Sequence, residues 1–158
     1  MIFIFLFLIT GCTSEKINKE KDIYDNMIDD LKEQSIFDND LPFNIDIVFE
    51  KDISSELTYT VVIDSPKEEI KNISAIAIHD CETEDIYPTI GIFDDKLSLI
   101  SNVIDVDNNI VEGIILVGYI KYNGSINDFD GIIKVLIEYE NKNGNNKKVY
   151  YQYQNKTK

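Results

Sequence analysis

Apolar and polar side chains alternate with a period of two from residue 43 onward. Phe43, Ile45, Ile47 and Phe49 are interleaved with Asn44, Asp46, Val48 and Glu50. Leu57, Tyr59, Val61 and Ile63 repeat the pattern against Thr58, Thr60 and Val62. Successive side chains of a strand point to opposite faces, so each run predicts a strand with one buried and one wet face. The same reading gives strands over 73–78, 89–93 and 96–100, a short edge piece at 104–106, a long strand over 111–122, and strands over 132–139 and 149–153. In 132–139, Ile133, Val135, Ile137 and Tyr139 share one face. Gly113 and Gly118 mark expected bulges or bends of the longest strand. Turn residues separate these runs: Asp64-Ser65-Pro66-Lys67, Asp94-Asp95, Asp130-Gly131 and Asn143-Gly144.

The period differs before residue 41. Tyr24, Met27, Ile28 and Leu31 fall at i, i+3, i+4 and i+7, which predicts a short amphipathic helix over 21–34. Its other face carries Asp22, Asp25, Asn26, Asp29, Asp30 and Glu33. So short a helix is marginal by itself, so weak order is expected. Docking on the domain, lying near a membrane and melting all stay open. The acidic face argues against anionic lipid.

Seven or eight short strands with turns between them and no long helix point to an all-β fold. The architecture expected is a two-sheet antiparallel β-sandwich over 41–158, preceded by a tether with a short helix over 12–40. The stretch Asp128-Phe-Asp-Gly-Ile-Ile-Lys-Val-Leu-Ile-Glu-Tyr139, with Lys148-Val149-Tyr150-Tyr151 after its turn, resembles the last hairpin of bacterial immunoglobulin-like domains. No Trp exists and the Cys–Trp–Cys core of antibody domains is absent, so "immunoglobulin-like" here describes architecture.

The first twelve residues stand apart. The apolar run 2–9 is too short for a bilayer span, which needs about 20 residues. Its length suits the apolar part of a secretory signal. The run ends in Ile9-Thr10-Gly11-Cys12, with hydrophilic chain after it. This resembles a bacterial lipoprotein signal of Gram-positive type: apolar three before the cysteine, small or β-branched two before, Gly one before. The resemblance implies removal of residues 1–11, diacylation of the Cys12 thiol, and a mature chain held at the outer face of the cell membrane. Two acyl chains hold a protein stably at a bilayer. Such signals begin with Lys or Arg and none precedes Cys12, so the start is expected to lie further upstream.

Composition narrows the partners. The formal charge is −14, with 29 acidic against 15 basic side chains. Such a surface repels nucleic acid and anionic headgroups. Every basic side chain is Lys, so no guanidinium fork exists to hold a carboxylate or phosphate. Only Cys12 and Cys81 are present. With Cys12 acylated, Cys81 has no partner within the chain, and burial or partial burial is expected for it.

Candidate chemistry is sparse. His79-Asp80-Cys81-Glu82-Thr83-Glu84-Asp85 is the densest set of functional groups. His79 and Cys81 supply two metal ligands, but zinc sites collect four, and no second pair exists. As a nucleophile Cys81 would need a base, and the nearby carboxylates suppress its thiolate. The segment reads as an acidic loop. Asp105, Asp107 and Asn109 open a calcium-loop pattern that fails at Ile110, where Gly belongs, and at Leu116, where Glu belongs. Asp128 and Asp130 lie in a similar oxygen-rich turn. No phosphate-cradling loop, Gly-x-Ser-x-Gly, His-Glu-x-x-His or paired CxxC appears, so no cofactor is expected. The function expected is therefore a non-catalytic binding or accessory role at the cell envelope, toward an envelope protein or wall polymer. The alternative is a divalent-ion or small-ligand site in the acidic loops.

Overall fold

The computed structural model describes residues 11–51, 55–83 and 85–155, with backbone alone for 11–14. Residues 1–10 with the apolar run 2–9, the Cys12 side chain and Glu84 lie outside the described residues.

The β-sandwich is present. In chain order the strands are β1 (Asn44–Lys51), β2 (Glu56–Asp64), β3 (Ile70–His79), β4 (Thr89–Ile90), β5 (Leu97–Leu99), β6 (Ile110–Val111), β7 (Gly113–Lys121), β8 (Ile132–Asn141) and β9 (Asn146–Gln154). One sheet has the order β1-β2-β7; the other has the order β6-β5-β3-β8-β9, with β4 also on β3. This is the immunoglobulin pattern, in which the first, second and fifth strands form one sheet and the third and last two form the other.

The alternation explains the core. Inward residues Leu57, Tyr59, Val61 and Ile63 of β2 meet Ile133, Val135 and Ile137 of β8, with Ile73, Ala75 and Ala77 of β3 between the sheets. Burying a large aliphatic or aromatic side chain stabilises by about 1.5–3 kcal/mol. The Tyr59 hydroxyl is the polar exception, and it donates to the Ala77 carbonyl at 3.1 Å.

Three expectations are corrected. Neither Gly113 nor Gly118 is a bulge, since β2 and β7 pair in unbroken register from Glu56↔Lys121 to Asp64↔Gly113, though the chain does bend beside Gly113, at Glu112. Gly118 is required because a Cβ there would lie 2.2 Å from the Tyr59 ring. Second, the long strand expected over 111–122 divides at Glu112. Val111 belongs to β6, parallel to β5 in one sheet, and Gly113 opens β7 in the other. Third, the edge piece at 104–106 is replaced by a bridge from Asp105 to Ile110 around a 3₁₀ turn, Val106–Asn108.

The helix α1 (Gly11–Glu33) begins ten residues before the helix expected over 21–34. That added part is polar and carries a Lys16–Glu20 pair at i,i+4, so it gives no periodic signal yet suits a helix. Instead of standing weakly ordered, α1 is docked. Met27, Ile28 and Leu31 pack on Ile76, Ile78, Ile92 and Leu136, with Tyr24, Tyr87 and Tyr150 at the margin. Lys134 Nζ donates to the Leu31 and Gln34 carbonyls, both at 3.0 Å, and so satisfies the helix C-terminus. Lys148 bridges Asp30 at 2.9 Å and Glu138 at 2.8 Å. Residues 15–19 are exposed on every side, so the first turns stand clear of the sheet. No helix among the described residues is long and apolar enough to cross a membrane.

Candidate interaction surface

The sequence-derived candidates do not converge. His79 ends β3 and is buried, at 6 % exposure. Its ring lies edge-on to Tyr59 and Tyr87, with centroids 5.8 and 5.2 Å away. Its Nδ1 has no hydrogen-bond partner among the described residues. Burial pushes the imidazole below its ordinary pKa, against the opposing pull of the Cys81 and Tyr119 backbone and of Asp80 and Asp85. His79 is therefore a neutral ring in an aromatic cluster. Cys81 is half-buried against the core, and its Sγ lies 3.9 Å from Asp80 Oδ1. Burial and the Asp80 carboxylate both push its thiol pKa up, which keeps the thiolate scarce at neutral pH. The Asp80 carboxylate accepts from the Ile132 amide at 3.0 Å, closing the loop onto β8.

The oxygen-rich loops sit at opposite ends of the sandwich. Asp105 and Asp107 precede the start of β7, whereas Asp128 and Asp130 follow its end, so nine residues of strand separate them. Asp105 accepts from the Asn108 side chain at 2.8 Å, a contact that stabilises its own turn. Among the described residues no three His, Cys, Asp or Glu side chains come together in a way that would hold a metal ion.

What the structure does assemble is a bare sheet face. The outward residues of the β1-β2-β7 sheet run in cross-strand rows: Asp46–Val62–Ile115, Val48–Thr60–Val117 and Glu50–Thr58–Tyr119. The face thus grades from acidic on β1 to apolar on β7. Ile115, Val117 and Tyr119 are 63, 42 and 52 % exposed. No other described strand pairs with the outer edge of β7. Such an edge offers a row of N–H and C=O groups, of which the Tyr119 backbone is already engaged by the His79 ring. The opposite edge, β1, alternates Asn44, Asp46 and Glu50 outward, and charge blunts it. On the other sheet, Asp38 covers the β9 edge: its amide donates to the Tyr150 carbonyl and its carboxylate accepts from the Tyr150 amide, both at 2.8 Å.

Beside the start of β7 lies an open cleft of about 560 Å³, lined by Asp64, Ile100, Val103, Ile104 and Glu112. Asp64 Oδ1 is buried there without a partner among the described residues. Sequence reasoning missed this surface. The signal was present: Ile114-Ile115-Leu116-Val117 is apolar on both faces, yet the run does not say which face goes uncovered. No family model and no curated protein matches this chain.

Proposed function

We propose that this chain is a non-catalytic binding domain, lipid-anchored through Cys12 at the outer face of a bacterial cell membrane, with an envelope protein as its partner. The observation that carries the binding role is the exposed row Ile115, Val117 and Tyr119 on an edge strand of an otherwise acidic domain. Contiguous apolar surface rimmed by polar groups marks interaction sites on soluble domains. The anchoring rests on the sequence Ile9-Thr10-Gly11-Cys12. Cys12 lies one residue into α1, so the lipid would sit at the start of a helix about 34 Å long. The exposed turns over 15–19 would then act as a stiff spacer between bilayer and sandwich.

Two measurements test the two halves. Mass spectrometry of protein extracted from membranes is expected to show a mature chain beginning at a diacylated Cys12. Retention of residues 1–11 with an unmodified thiol refutes the anchor. A photo-crosslinking residue at position 117 is expected to give a discrete protein adduct in intact envelopes, while one at position 147 on β9 gives none. Absence of an adduct at 117 refutes the binding role.

A further inference from the structure

The sheet β1-β2-β7 has three strands, where the corresponding immunoglobulin sheet has four. The missing neighbour is the one that would pair with the outer edge of β7. The chain runs from β5 through a 3₁₀ turn and β6 straight into β7, so among the described residues no strand fills that position. We propose that this open strand position takes an extended, apolar segment of a partner protein, paired to β7 through the backbone. The segment carries a basic side chain at the end that lies over Asp64 and Glu112. This inference rests on the binding role proposed above and names the partner's chemistry.

Three observations converge on it. β7 is nine residues long and pairs with β2 in unbroken register, so its outer edge from Gly113 to Val117 presents regularly spaced backbone groups to an added strand. Cross-strand neighbours on one face interact, so the exposed Ile115, Val117 and Tyr119 call for apolar or β-branched residues opposite them. At the start of β7 the cleft holds two carboxylates, Asp64 and Glu112, and one Asp64 oxygen is buried and unpartnered. A Lys or Arg reaching that cleft would supply the missing donor. Charge also selects against a second copy of this chain, since each copy carries −14.

The probes are fluorescent nine-residue peptides of alternating Val and Thr with one terminal Lys, at either end to allow both strand directions. Anisotropy with the folded domain is expected to show one Lys peptide binding at least tenfold tighter than its Glu twin. N-methylation of alternate peptide amides should abolish binding. Asp64→Asn and Glu112→Gln should each weaken it several-fold, with less dependence on salt. The circular dichroism spectrum of each variant establishes that it is folded. Equal binding of the Lys, Glu and N-methylated peptides overturns the proposal, as does no binding up to millimolar peptide. A concentration-dependent dimer in sedimentation that the Lys peptide does not dissociate assigns the edge to a second copy and equally overturns it. A position-117 adduct in envelopes without peptide binding would leave the binding role standing and remove strand addition alone.

Discussion

β3 and β7 are written in the same kind of sequence and meet different fates. Each is apolar on both faces: Ala75-Ile76-Ala77-Ile78 in one, Ile114-Ile115-Leu116-Val117 in the other. β3 lies inside its sheet, and α1 covers its outer face, so Ile76 is fully buried. β7 lies at the edge of its sheet, and its outer side chains remain 42–63 % exposed. A strand that is apolar on both faces implies two coverings. Where the chain itself supplies both, the strand is core. Where it supplies one, the other face is surface kept apolar despite the aggregation hazard of an exposed edge.

The largest expected difference between the two strands is in stability. Ile76→Ala should cost about 2–5 kcal/mol in urea unfolding, because it opens a cavity between sheet and helix. Val117→Ala should stay within about 0.5 kcal/mol, as for other surface substitutions. Similar losses for both would mean that β7 is also covered. A smaller effect tests the covering itself. Lys134→Met removes the two hydrogen bonds to the Leu31 and Gln34 carbonyls, and should cost about 1–2 kcal/mol and speed amide exchange over 28–34. Unchanged exchange there would show that apolar packing alone holds the helix.

The smallest expected effect concerns pH. The His79 imidazole pKa is lowered in the folded domain, so the unfolded chain binds the extra proton more readily. Stability from this group is therefore present above the unfolded value of about 6.5 and is lost as pH falls through it. His79→Phe should reduce the drop in melting temperature between pH 7 and pH 5.5. An identical drop in the variant would place the acid sensitivity in the carboxylates instead.

Much of the fold was legible because burial imposes period two. The inward sets of β2 and β8 were readable residue by residue, and so was the hairpin turn at Asn143-Gly144, where Gly144 has φ +76°. The first half of α1 was not, because a polar helix carries no stripe. Gly118 was misread because its cause is the Tyr59 ring, 59 positions away in the chain. The candidate surface was hidden for a related reason. Edge or interior placement depends on which strands pair, and pairing across the chain leaves no local mark. Conversely, His79 and Cys81 drew attention as neighbours in sequence, yet the fold uses one as an aromatic filler and the other as a half-buried thiol.

α1 covers one sheet face from within the chain, and on the proposal above β7 takes its missing neighbour from another protein. Amide hydrogen exchange of the domain with and without the Lys-terminated Val–Thr peptide tests it most directly. New protection is expected to be confined to 113–121, with exchange over 24–33 unchanged. Loss of protection in α1 would contradict it, because the peptide would then be displacing the helix from β3 and β8 rather than extending β7.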